Sequence, residues 1–126
     1  MSSISREDFI SAISRLAGSV YDFHSRFDIP NVNGSSDQAL SRLRTRLAFL
    51  AEEVGEHAKE LNRGELDDAA IELADVAFVA LGSLLELDSL GADSCREVAA
   101  KNDGKTTETH MLEAGSGKLV KRSSRL

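Results

Sequence analysis

The chain has 126 residues, with 15 Lys and Arg against 21 Asp and Glu, a formal charge of -6. One domain is expected at that length, large enough to bury roughly two thirds of the unfolded chain's surface, so folding needs no disulfide or metal staple. The acid excess excludes broad binding to nucleic-acid backbones, and no run of about 18 apolar residues is present to span a bilayer. The start, MSSISREDFI, lacks a secretory leader's basic and apolar segments, and a single Cys95 suits a reducing compartment, so a cytoplasmic protein is expected.

Low aromatic content (5%), no Trp and one Pro favour helices. The first helix is expected from about Ser5 to Phe27, with Phe9, Ile10, Ile13, Leu16, Ala17 and Val20 on one stripe, ending before Ile29-Pro30. A polar loop, NVNGSS, follows, and Ser36 or Asp37 is expected to cap the second helix. Leu40, Leu43, Leu47, Leu50, Val54, Ala58 and Leu61 give that helix an apolar stripe up to Asn62-Arg63-Gly64.

The third helix is expected over Asp67 to about Leu85. Thirteen of the seventeen residues from Ala69 to Leu85 are apolar and occupy every side, with Glu72 and Asp75 the only charges among them. Such a helix should be buried in a core or subunit interface. Asp88, Gly91 and Asp93 mark a turn before a short fourth helix, about Ser94 to Asn102. Gly115-Ser116-Gly117 then separates His110-Met-Leu from Lys118-Leu-Val, which predicts a small hairpin. The fold expected is all-α, a bundle of four to five helices assembling as an oligomer, with residues 1–102 the helical domain and 103–126 a tail of the same domain. Charge follows that division: residues 1–100 carry 18 acidic and 9 basic side chains, residues 101–126 carry 3 and 6.

A carboxylate moved into an apolar interior must be neutralised, paired or metal-bound. Glu72 and Asp75 are three apart and project together, and no Lys or Arg lies between Arg63 and Arg96 to pair with them locally. The second helix offers Glu52, Glu53 and Glu56 within an arc of about 100 degrees. Five converging carboxylates repel unless divalent cations lie among them, and hard oxygen donors suit Mg²⁺, with Mn²⁺ as a substitute. Glu-x-x-His di-iron spacing, an EF-hand loop, Walker A, Gly-rich dinucleotide and Cys/His zinc patterns are absent.

Glu52-Glu53-Val-Gly-Glu56 followed by Glu72-Leu-Ala-Asp75 resembles the EExxE…ExxD signature of the MazG-like all-α nucleoside triphosphate pyrophosphohydrolases. Lys101-Asn102-Asp-Gly-Lys105 is similar to that group's downstream Asn/Lys element. Phe23-His24-Ser-Arg-Phe27 with Pro30, and Gly117-Lys118-Leu-Val-Lys121, resemble the phosphoribosyl-ATP pyrophosphohydrolase-like branch. The resemblance implies Mg²⁺-dependent cleavage of a nucleoside triphosphate between the α and β phosphates. It implies Glu53, Glu56, Glu72 and Asp75 as metal ligands, and Glu52 as a further ligand or the base that orients water. Homodimers or homotetramers are implied too.

Lys101, Asn102 and Lys105 are read as phosphate contacts, while Lys118 and Lys121 are read as solvated tail charges. His24 and Phe27 are candidates for a base pocket, set against core packing for Phe27 and a surface position for His24. His57 is read as supporting the ligands or lying on the surface, and His110 and Cys95 as structural. Two other readings stand beside the dNTP pyrophosphohydrolase: action on phosphoribosyl-ATP, and a non-catalytic helical module binding a structural cation.

Overall fold

The computed structural model describes residues 3–32 and 34–123. Four helices are followed by a two-stranded hairpin: α1 Arg6–Arg26, α2 Ser36–Arg63, α3 Leu66–Glu86, α4 Ser89–Asp103, β1 His110–Leu112 and β2 Leu119–Lys121. The chain divides into two compact units, Met1–Ala92 and Asp93–Leu126.

Local chemistry sets the helix ends. Ser5 caps α1 by accepting from the N–H of Asp8, with Glu7 and Asp8 at the positive end of the helix dipole. The cap of α2 is Ser35, one residue earlier than expected, because Gln38 lies where it can return the hydrogen bond and close a capping box. Gly64, at φ 73°, takes the left-handed conformation that ends α2, and α3 begins two residues later. So tight a connection makes α2 and α3 an antiparallel hairpin of helices.

α3 packs against both α1 and α2. Its all-round apolar character predicted burial, yet within the chain only Ala69, Gly82 and Glu86 of α3 are buried, while Ile71 (61%) and Leu73 (53%) are exposed. On α2, Leu43 and Leu50 are half-buried, whereas Leu40, Leu47, Val54 and Leu61 are exposed. One side of the apolar stripe thus faces α3 and the other faces solvent.

The α3–α4 connection departs from expectation. The predicted turn over Asp88 to Asp93 shrinks to Leu87 and Asp88, the latter at φ 59°, and α4 starts at Ser89. Gly91 therefore lies inside a helix, pressed against the carbonyl of Leu84 where no Cβ would fit. In the second unit the hairpin forms as expected, pairing His110 with Lys121, Met111 with Val120 and Leu112 with Leu119. Gly115 (φ 90°) and Gly117 (φ 70°) supply its turn. Among the described residues no helix is long and apolar enough to cross a membrane.

Candidate metal centre and active site

The antiparallel α2–α3 pair brings two acidic segments to one level. Carboxylate oxygens of Glu53, Glu72 and Asp75 all lie within 4.8 Å of one another. Glu53 and Glu72 are half-buried and Asp75 is exposed, so the interior pair expected from the sequence is a cluster at the edge of the helix interface. The reason is that α1 and α2 cover only part of α3. Glu52 and Glu56 stand exposed on α2 beside the cluster.

The electrostatics of the cluster are dominated by lost solvation and like charge. Lost solvation and then the charges of Asp75, Glu52 and Glu56 push the Glu53 carboxyl above its usual range, partly offset by hydrogen bonding with Glu72. Lost solvation, Asp75, Glu53, Glu56 and Glu60 do the same to Glu72. The described ion pairs, Arg42 and Arg46 with Glu86, Arg63 with Glu60 and Arg96 with Asp93, leave the cluster without a basic partner. Three hard oxygen donors this close, mutually repelling and in no ion pair among the described residues, fit a divalent ion of the Mg²⁺, Mn²⁺ or Ca²⁺ kind.

Two groups of polar contacts join α2 to α3 on either side of the cluster. His57 Nδ1 lies 2.7 Å from the Ala69 carbonyl oxygen. Toward the other end, Arg46 donates from Nε to Ser83 Oγ (2.7 Å) and from Nη2 to the Val79 carbonyl (3.1 Å). Arg42 and Arg46 both grip Glu86, which is 1% exposed. Sequence reasoning missed this trio. The one signal available was that Arg42 and Arg46 are a turn apart on α2, and nothing local pointed to Glu86 forty residues on.

His24 is buried, against the surface position weighed for it beside a base pocket, and Phe27 is 60% exposed, against the core packing weighed for it. The absence of a side chain at Gly82 explains the first, since a Cβ there would lie 2.7 Å from both His24 Nε2 and Arg46 Nη2. His24 Nδ1 is buried without a hydrogen-bond partner among the described residues, and the residue lines a cavity of about 150 Å³ with Tyr21, Ser25, Ile29, Asn31 and Leu85. Phe27 caps the end of α1, its ring 4.8 Å from that of Phe23 and tilted 54° to it.

In the second unit, Lys101, Asn102 and Lys105 gather at the end of α4. Lys105 Nζ donates to Asn102 Oδ1 (3.0 Å), and Asn102 Nδ2 donates to the Val98 carbonyl (3.0 Å). Lys118 and Lys121 are exposed on the hairpin, His110 Nδ1 is 2.7 Å from Thr109 Oγ1, and Cys95 is a free, exposed thiol where a structural role was expected.

Comparison with known families gives a match over most of the helical region. The family model of phosphoribosyl-ATP pyrophosphohydrolase (PRA-PH) matches residues 20–102, from the last turns of α1 to the end of α4, and so takes in Glu52, Glu53, Glu56, Glu72 and Asp75. No curated protein and no solved structure matches the chain. The family's general activity is pyrophosphohydrolysis of a nucleotide, and the acidic group of Glu53, Glu72 and Asp75 lies within the match. Two thirds of the sequence lies within that match, and the chain belongs to the phosphoribosyl-ATP pyrophosphohydrolase family, within the MazG-like all-α superfamily.

Proposed function

We propose that the protein is a Mg²⁺-dependent nucleoside triphosphate pyrophosphohydrolase, cleaving (d)NTPs to (d)NMP and pyrophosphate and so clearing unwanted nucleotides from the pool. The observation that carries this reading is the convergence of Glu53, Glu72 and Asp75 from two helices, with no basic partner in an ion pair with them among the described residues.

Glu53, Glu56, Glu72 and Asp75 are the residues that would hold the ion. When bound, it would neutralise phosphate charge and acidify water at the site. Glu52, exposed beside the ligands, takes the proton of the attacking water as oxygen bonds to the α phosphorus and the bond to the pyrophosphate leaving group breaks. Lys101, Asn102 and Lys105 offer N–H donors to phosphate oxygens. On the base side, His24 and Phe27 offer a neutral imidazole and an exposed ring. A second copy of the chain covers the apolar faces of α2 and α3, giving a homodimer or homotetramer. A monomer by light scattering would remove that part of the reading.

Substrate is decided by assay. The family's name favours phosphoribosyl-ATP as the second candidate, and the chemistry at the phosphates is the same. A panel of canonical and modified (d)NTPs plus phosphoribosyl-ATP, incubated with Mg²⁺ and analysed for pyrophosphate and monophosphate, separates the two. Turnover that survives Glu72→Gln would sink the site. Metal-dependent stability with no turnover on any member of the panel would leave the structural-cation module.

A further inference from the structure

We propose that His57 is a positioning residue, whose Nδ1–H, donated across the helix interface to the Ala69 carbonyl, sets the register that brings Glu53 against Glu72 and Asp75. The inference rests on the cation-binding reading of that cluster.

The geometry is specific. A carbonyl oxygen only accepts, so Nδ1 carries the proton in this contact and the imidazole serves as donor. The distance is 2.7 Å, Ala69 is 2% exposed and His57 is half-buried, so the bond is partly shielded from water. His57 is one turn after Glu53 and follows Glu56 directly, while Ala69 is three residues before Glu72. In an antiparallel pair, one helix descends as the other ascends. The level of His57 and Ala69 is therefore followed one turn on by the level of Glu53 and Glu72.

Two further turns along come the contacts of Arg46 with Val79 and Ser83. The carboxylates are bracketed between an imidazole tie and a guanidinium tie. Their mutual repulsion pushes α2 and α3 apart, and the nearer tie resists it. Without that tie the helices can slide or splay, and the ion must bring the ligands together at the expense of its own binding. The Ala69 carbonyl remains bonded by the Leu73 N–H of its own helix, so loss of the imidazole strands no buried acceptor. Fold and site respond differently for that reason.

The test is Mn²⁺ binding to the metal-free protein, followed by electron paramagnetic resonance of the free ion, with melting in EDTA recorded in parallel. Outer hydrogen bonds that orient ligands typically govern affinity by about 10- to 100-fold, and His57→Leu is expected to weaken Mn²⁺ about tenfold with little change in the EDTA melt. His57→Asn, whose amide nitrogen stands where Nδ1 does, restores binding, and His57→Gln, whose amide lies where Nε2 does, does not. Should the leucine variant fail to fold, the Asn and Gln pair carries the comparison. Wild-type affinity in His57→Leu, or Asn no better than Gln, overturns the proposal. Unchanged Mn²⁺ affinity in Glu72→Gln, by contrast, overturns the metal site itself and the role of His57 with it.

Discussion

Arg46 on α2 and Glu86 on α3 form a 2.5 Å ion pair whose side chains are only 8% and 2% exposed, with Arg42 completing the grip from one turn away. A desolvated pair of this kind contributes little net stability over a well-packed apolar pair, but breaking it strands a buried charge. Glu86→Gln leaves two guanidiniums facing an amide, and is expected to destabilise the protein by about 3–5 kcal/mol in urea unfolding at fixed pH. The double replacement Arg46→Met with Glu86→Leu should be milder than Glu86→Gln alone. An additive, larger loss would show that the pair is worth more than its desolvation.

The acidic cluster predicts the opposite response. Glu72→Gln or Asp75→Asn removes a repelling charge, so the metal-free protein should melt at the same or a higher temperature, while turnover falls by about a hundredfold or more. Mg²⁺ should raise the melting temperature of the wild type and leave those variants unmoved. A marked loss of stability in EDTA would mean that Asp75 or Glu72 has a stabilising partner in the protein.

pH separates the two regions because their signs differ. Burial, and then the charges of Arg46 and Arg42 against the opposing Glu86, hold the His24 imidazole below its ordinary value of 6.5. The unfolded chain therefore takes up that proton first, and stability present above 6.5 is lost as pH falls from there through the lowered folded value. Glu53 and Glu72 sit above the ordinary 4.5. In the metal-free protein their repulsion costs stability above the raised values, and that cost fades as pH falls toward 4.5. Melting temperature against pH in EDTA should thus lose its near-neutral decline in His24→Gln and lose the lower, opposing recovery in Glu72→Gln. NMR titration of the His24 ring gives the direct check.

Two glycines are expected to resist alanine for steric reasons. At Gly82 the added Cβ would lie 2.7 Å from His24 Nε2 and Arg46 Nη2, forcing side chains that already fill the interface to shift. Overpacking of that order costs about 1–3 kcal/mol. Gly91→Ala should be worse, because the obstacle is the Leu84 backbone carbonyl, which cannot swing aside. Denaturant midpoints of the two variants measure both claims.

Much of the architecture was legible because helix signals are local. Ser5, Gly64 and the three-and-four spacing of Leu43 and Leu50 are read within a few residues, as are Glu53 beside Glu56 and Glu72 beside Asp75. The hairpin around Gly115 and Gly117 is of the same kind. What was not legible depends on the pairing of distant elements. Glu86 reads as an ordinary helix-end acid until α2 is laid against α3, and His24 reads as a surface residue until Gly82 opens room beneath it. The start of α4 at Ser89 was hidden because Gly91 signals a turn in sequence, whereas here it permits close approach to Leu84. For α3 the apolar pattern called for cover from a core or a subunit interface, and it could not say how much of that cover one chain supplies: Ile71 and Leu73 stay exposed in the single chain.

Among the described residues, Val20 and Ala69 are the only buried apolar side chains. A helical hairpin with so small a private interior draws little of its cohesion from itself. With the second copy proposed above in place, folding and assembly become one equilibrium, and dilution acts as a denaturant. The melting temperature should then climb with protein concentration, and stabilities of variants are comparable only at matched concentration. A substitution on the outward faces of Leu47 or Ile71, silent in the packing of one chain, would register as strongly as one in its core.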